Sequence, residues 1–249
     1  MDDYKLLIDL HIDGTRQGPG GEAETNLAMT LAGLDRSKSL RILDIGCGTG
    51  ASTIQLAKEL DAEVVAVDFL EDFLEALKKR ANGHGVADRI ETLNCSMDAL
   101  QFEDEAFDVI WSEGAIYNMG FENGIAEWKR LIKPGGIMVV SEITWLSETR
   151  PNQLQAYWEG AYAEIDTASA KINALERHGY CPKGYFYLQP HCWLENYYMP
   201  MRDRFPSFIE RYDQNDESLA IVEAEKEEIA LYEKYHSYYS YGVYVAQKI

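Results

Sequence analysis

Leu40-Arg-Ile-Leu-Asp-Ile-Gly-Cys-Gly-Thr-Gly50, followed by Ala51-Ser-Thr-Ile-Gln-Leu-Ala-Lys-Glu-Leu60, decides the reading of this 249-residue chain. The apolar residues Leu40, Ile42, Leu43 and Ile45 give way to three glycines within five residues, and a helix-like pattern follows. A buried strand, a tight glycine turn and a helix start are the parts of a nucleotide-binding corner. Glycine serves there because the backbone must turn sharply and lie against a ligand with no side chain between. Gly46-Cys-Gly-Thr-Gly-Ala51 also meets the G-x-G-x-x-G/A spacing of dinucleotide sites, so the glycines alone leave the nucleotide open.

Outward from that corner the chain alternates. Residues 4–13 read as a short helix or extended apolar segment, 14–21 as a glycine-rich break, and 22–33 as an amphipathic helix. Strands are expected at 40–45, 63–68, 89–94, 106–111 and 137–143, with helices at 51–60, 70–82 and 122–132. Asn82-Gly-His-Gly85 is read as the stop of the second of these helices, and Lys133-Pro-Gly-Gly136 as the stop of the third. Such alternation means a parallel sheet with right-handed crossovers. After Thr144 the rhythm changes to helices at 151–165 and 167–178, closed by Gly179-Tyr-Cys-Pro182. A strand at 184–189, an aromatic-rich excursion over 190–236 and a last strand at 240–248 complete the chain. The expected fold is α/β, a seven-stranded, mostly parallel sheet with helices on both faces and an antiparallel last strand. One domain is expected over 1–249, with a lid segment at 1–35, a ligand-binding core at 36–144, and cap helices with the last two strands at 145–249.

Composition narrows the partners. The formal charge of −19 repels nucleic-acid phosphates and anionic membranes, and no Lys/Arg cluster offsets it. No apolar run is long enough to span a bilayer, and Met1-Asp-Asp-Tyr-Lys5 lacks the features of a signal peptide. Cys47, Cys95, Cys181 and Cys192 show no CxxC pairing, which fits a reducing cytoplasm better than a disulfide framework. His11, His84, His178, His191 and His236 are scattered with no metal-ligand spacing, so no metal is expected.

Asp68 ends the second strand about 20 residues beyond the turn, where a carboxylate accepts both hydrogen bonds of a ribose diol. The competing reading is a cap for the next helix. Ile42-Leu-Asp-Ile-Gly-Cys-Gly-Thr-Gly50 resembles the first motif of class I S-adenosylmethionine-dependent methyltransferases, with Asp44 at the acidic position two before the first glycine. The resemblance continues through Asp68, Phe107-Asp-Val-Ile-Trp-Ser-Glu113 and Leu131-Ile-Lys-Pro-Gly-Gly136. It implies a sheet whose last strand forms an antiparallel hairpin with the sixth, and S-adenosyl-L-methionine as cofactor. That ligand has no phosphates, in keeping with the absence of Lys and Arg from Ile42 to Gln55, and its sulfonium suits an acidic protein.

By that resemblance Gly46, Cys47 and Gly48 approach the methionine and ribose portions. Ser96 and Met97, in Cys95-Ser-Met-Asp98, lie where the family contacts adenine; a serine replaces the acidic residue many members carry, and Asp98 follows two residues later. Glu113 faces the methionyl amino group or the acceptor, its plain alternative being a solvated loop carboxylate. Arg16 or Gln17, in a segment similar to the lid of small-molecule methyltransferases, clamps the methionine carboxylate unless the segment is an ordinary connector. Methyl transfer needs positioning more than an acid/base pair. His11, Tyr117, His191 and Tyr198 are therefore candidates for proton removal only, and none is put forward as catalytic. Trp145, Trp158, Trp193, Tyr197 and Tyr198 either wall an acceptor pocket or pack the added helices. The resulting expectation is methyl transfer to a small-molecule acceptor by an enzyme most like the ubiquinone-biosynthesis-type methyltransferases. The rivals are an NAD-dependent oxidoreductase and a non-catalytic adenosyl-ligand-binding protein.

Overall fold

The computed structural model describes residues 4–249. Met1 to Asp3, part of the segment read as lacking a signal peptide, lie outside them. The sheet starts from the quoted strand, β1 (Leu40–Ile45), paired in parallel with β2 (Ala62–Asp68) on one side and β4 (Phe107–Ser112) on the other. β3 (Ile90–Asn94) pairs outside β2, and β5 (Ile132–Trp145) outside β4. The order β3-β2-β1-β4-β5-β8-β7 makes the main path, in which β8 (Tyr239–Lys248) runs antiparallel between β5 and β7 (Tyr180–Tyr187). To the seven strands expected the structure adds one, the two-residue β6 (Asp166–Thr167) on the end of β5.

Both faces of this sheet are covered, so its strands alternate between two apolar layers rather than between core and water. Ile42, Val64, Val109, Val139 and Val243 point into one layer; Leu43, Val65, Ile110, Met138 and Tyr244 point into the other. The first layer is closed by α1 (Lys5–His11), α2 (Glu22–Ala32), α3 (Ala51–Glu59) and α4 (Glu71–His84). The second is closed by α5 (Phe121–Trp128) and α7 (Ala168–Arg177). α6 (Asn152–Ala161) reaches the first layer through Leu154.

Several boundaries differ from the sequence expectation. α4 runs through Asn82-Gly83-His84 and stops only at Gly85, whose φ of 70° closes the helix. α5 gives way to a 3₁₀ turn at Lys129–Leu131, and β5 begins at Ile132, before the Lys-Pro-Gly-Gly stretch. A register shift against β4 accommodates that stretch, and Asp108 accepts from both Lys133 Nζ (2.8 Å) and the Arg41 N–H (2.9 Å) there. β7 starts at Tyr180 and includes Cys181-Pro182, a proline that the sheet tolerates because β7 is an edge strand with a bulge at this point.

The excursion between β7 and β8 folds as α8 (Pro190–Trp193), a π-helical turn at Leu194–Tyr198, α9 (Met199–Arg211) and α10 (Asp216–Tyr235). Asn215 caps α10 by accepting from the Ser218 N–H at 2.8 Å. Most of the aromatics expected in this region are core. Trp193 stacks on Tyr232 with centroids 4.4 Å apart and donates to Ser240 Oγ at 2.9 Å. Tyr198, Trp145 and Trp158 join the same layer. The Trp193→Ala variant empties the centre of that stack, and we expect it to lose about 3–5 kcal/mol of unfolding free energy in urea. A loss under about 1 kcal/mol, the scale of a single aromatic contact, would show that the excursion does not depend on this stack.

Candidate functional site

At the carboxyl ends of β1 and β4 the strand order reverses, and open α/β sheets have their ligand crevice at such a point. The crevice here is a cavity of about 640 Å³, within the ~300–1,000 Å³ range of small-ligand sites. Its floor is the glycine turn. The Gly46 and Cys47 N–H groups both donate to the Val67 carbonyl, at 2.8 and 3.0 Å, which draws the end of β1 onto β2. Gly46 has a φ of 71°, and a Cβ there would collide with the Ala115 methyl. The turn is therefore bare on its cavity side because the chain packs tightly behind it.

Of the nine residues expected to bind cofactor, Gln17, Gly46, Cys47, Gly48, Asp68, Ser96, Met97 and Glu113 line this cavity. Asp44 does not. It is fully buried behind the turn, where its Oδ2 accepts from Ser52 Oγ (3.0 Å) and Thr53 Oγ1 (2.6 Å) at the start of α3. Asp68 stands two residues before Leu70, the N-cap of α4. Its Oδ1 accepts the Leu70 N–H at 3.0 Å ahead of α4, its Oδ2 accepts the Gly48 N–H at 2.9 Å, and the carboxylate still borders the cavity. Each oxygen keeps a lone pair for a hydroxyl.

The lid segment is bound to the turn. Gln17 Oε1 accepts from the Thr49 N–H and hydroxyl, both at 2.9 Å, while its Nε2 donates to the His11 and Gly14 carbonyls at 3.1 Å. Both amide hydrogens are thus taken, and Gln17 acts as a brace. Arg16 Nη1 donates to Glu113 Oε2 at 2.8 Å. Glu113 Oε1 accepts from Thr25 Oγ1 and Trp111 Nε1, both at 2.9 Å, so this carboxylate is held by three donors and is no solvated loop group.

Three contributors, Arg80, Phe69 and Glu225, escaped sequence reading. Arg80 of α4 donates to the Gly14 carbonyl at 2.6 Å and to the Thr49 hydroxyl, tying lid to turn from below. Phe69 and Tyr117, both substantially exposed, border the cavity, and so does Glu225 of α10, whose Oε1 stands 3.5 Å from His11 Nε2. No local pattern marks Arg80 or Glu225, since both look like solvated helix charges until distant segments meet them. Tyr197 is the one member of the expected aromatic set on the cavity wall; Tyr198 donates to Glu228 at 2.8 Å outside it, and His191 is elsewhere. Burial raises the phenol of Tyr197, which therefore presents an O–H group at neutral pH.

Asp68, Asp98, Glu113 and Glu225 set four carboxylates around the cavity against the single guanidinium of Arg16. The cavity therefore favours a cation and disfavours a diphosphate. Residues 42–136 match the family model described as a methyltransferase domain. Demethylmenaquinone methyltransferase of Lactiplantibacillus plantarum is 29% identical over 165 residues, covering 64% of this chain and 65% of that protein. A protein of Haemophilus influenzae is 25% identical over 70% of this chain and 75% of its own length. A methyltransferase of Thiobacillus denitrificans solved with S-adenosyl-L-homocysteine shares the fold, with a TM-score of 0.85 over 100% of both chains at 18% identity. The chain has the Rossmann-like α/β fold of solved methyltransferases, and the methyltransferase-domain match runs from β1 to the start of β5.

The turn also carries a titration. Burial, with the fields of Glu113 and Asp68 adding, raises the Asp44 carboxyl from its ordinary 3.8 to about 7, against the hydrogen bonds from Thr53 and Ser52. The folded chain holds this proton more tightly than the unfolded chain. Its stabilising contribution is present below the unfolded value and lost as pH rises through the folded one. We expect the stability of the native chain relative to Asp44→Asn to fall by up to ~1.4 kcal/mol per pH unit between about pH 4 and 7. A difference that stays flat across that window in urea titrations would place the Asp44 titration elsewhere.

Proposed function

We propose that this chain transfers the methyl group of S-adenosyl-L-methionine to a small-molecule acceptor. The observation that carries the reading is the opposed pair Arg16–Glu113 beside the bare glycine turn, with Asp68 at the end of β2. An amino acid zwitterion needs one cation for its carboxylate and one anion for its ammonium, and this pair offers both at partial burial. Asp68 meets the ribose diol, Gly46 to Gly48 lie against the sugar and the methionine chain, and Met97 and Phe69 flank the adenine with Ser96 and Asp98 at its edge. The carboxylate excess around the cavity suits a sulfonium.

The cofactor, when bound, supplies an electrophilic methyl group open to in-line displacement. The chain's part is placement: a nucleophile held on the line of the methyl–sulfur bond gains most of its rate from proximity and orientation. His11, Tyr117, Tyr197 and Glu225 border the cavity from α1, the loop after β4 and the excursion, and these residues form the acceptor's side of the site. A small acceptor fits the cavity volume, and the relatives' quinone substrate makes an aromatic ring one class to assay. Four free cysteines fit a reducing cytoplasm as the place of action.

Calorimetric titration with S-adenosylmethionine, S-adenosylhomocysteine and NAD separates this reading from its rivals. Binding of both adenosyl ligands without NAD is the expected result, and tight NAD binding alone would sink the proposal. In the Asp68→Ala variant the affinity for S-adenosylhomocysteine should drop about 10- to 100-fold, the scale of a lost charge-assisted hydrogen bond, with the circular dichroism spectrum retained. Unchanged affinity in that variant would remove Asp68 from the ribose.

A further inference from the structure

Away from the cavity, three side chains that sequence spacing kept apart have converged. Glu24 of α2 and His191 and Cys192 of α8 bring a carboxylate oxygen, an imidazole nitrogen and a sulfur within 4.8 Å of one another. Glu24 Oε1 stands 3.2 Å from His191 Nε2, which stands 3.5 Å from Cys192 Sγ. A tetrahedral zinc site with Zn–N and Zn–O of about 2.0–2.1 Å and Zn–S of about 2.3 Å puts its N and O ligands about 3.3 Å apart and its N and S ligands about 3.6 Å apart. The observed separations are those edges to within about 0.1 Å.

Two further observations point the same way. Glu24 Oε2 is buried with no hydrogen-bond partner, a costly state for a carboxylate unless something else satisfies it. The group is also graded in exposure. Cys192 is fully buried, the Glu24 side chain is 14% exposed and the His191 side chain 43% exposed, so an ion has a route in over the imidazole. Thiolate, imidazole and carboxylate together select a borderline ion over magnesium or calcium.

We propose that Glu24, His191 and Cys192 bind one Zn²⁺, which joins α2 to the start of the excursion. Binding exchanges the Cys192 S–H bond for an S–Zn bond and releases the proton to solvent, with no change of oxidation state. One thiolate and one carboxylate then balance the two positive charges. Neutral His191 ligates through Nε2, and a water fills the fourth position. The ion sits where the lid meets the excursion: the Gly20 N–H donates to the Cys192 carbonyl at 3.4 Å, and Asn196 Nδ2 donates to the Gly20 carbonyl at 2.7 Å. Thr25, next to Glu24, holds Glu113. The expectation of no metal, drawn from scattered histidines, misses this group because Glu24 arrives from the other end of the chain.

Chelator-treated full-length protein titrated with Zn²⁺ against a chromophoric competitor tests the proposal. One ion per chain is expected, and Co²⁺ in its place should show tetrahedral d–d bands with a thiolate-to-cobalt charge-transfer absorption. Cys192→Ser and Glu24→Gln should each weaken binding about a hundredfold. His191→Asn, at the exposed rim, supplies the same test should a change at buried Cys192 disturb folding, which circular dichroism reports. Cys181→Ser should leave binding unchanged. Affinity should rise with pH through the neutral range as the thiol proton is displaced, Glu24 and Arg16 being the charged groups whose fields reach that thiol. No stoichiometric ion, a cobalt spectrum without charge transfer, or equal binding by His191→Asn would overturn it and leave a Glu24–His191 hydrogen bond.

Discussion

The structure depends on one shared acceptor. The Gly46 and Cys47 N–H groups converge on the Val67 carbonyl, and the next residue along β2, Asp68, takes the Gly48 N–H. These three bonds set the exit of β1 against the exit of β2. The turn can then lie flat only if no side chain intrudes, so Gly46 answers to Ala115 behind it and Gly48 to Gln17 above it. With the turn so fixed, α3 starts at Ala51, and Ser52 and Thr53 fall onto Asp44. Gln17, Arg80 and Thr49 then close the lid segment over the turn. A ligand meets a surface whose backbone is already committed, which lowers the ordering cost of binding.

Charge organises the second level. An acidic chain has many carboxylates to dispose of, and burial raises Asp44, Asp68 and Glu142 among them. Each answers differently. Asp44 takes two hydroxyl donors, Asp68 takes backbone N–H groups, and Glu142 pairs with the buried Lys171 at 3.3 Å. Glu113, on the cavity wall, is held by the Arg16 guanidinium. The negative potential of the cavity is thus local and built from fixed groups, not a by-product of the overall charge of −19.

The parallel half of the fold was legible because its signals are local. A strand buried on both faces reads as an apolar run, the glycine turn is contiguous, and Asp68 follows at a set distance. Boundaries shifted by a few residues within or beside the expected stops. α4 passes through Gly83 to use the left-handed Gly85, and β7 accepts Pro182 because an edge strand needs no donor there. Side chains whose meaning is a long-range contact could not be read at all. Arg80 on a helix face and Glu24 in a first turn both have ordinary solvated explanations until the lid and the excursion fold over them. The aromatics of the excursion fulfil the packing alternative, since an added layer needs its own core before it can line anything.

That division has a consequence for how such a site changes. The cofactor side is made of strand ends and a turn, all tied to the sheet by backbone hydrogen bonds. On the proposed function, the acceptor side is made of side chains from α1, the π-helical turn and α10, of which His11, Tyr197 and Glu225 touch the cavity while Leu10, Val222, Ile229 and Tyr232 carry the packing. The two sets do not overlap. Substitution at the first three alters what the cavity meets without removing the core that holds the helices in place, and without touching Asp68 or Gly46. A fold arranged this way keeps one wall of its cavity fixed while the other varies, because the constraint on one is the backbone and on the other only a few side chains.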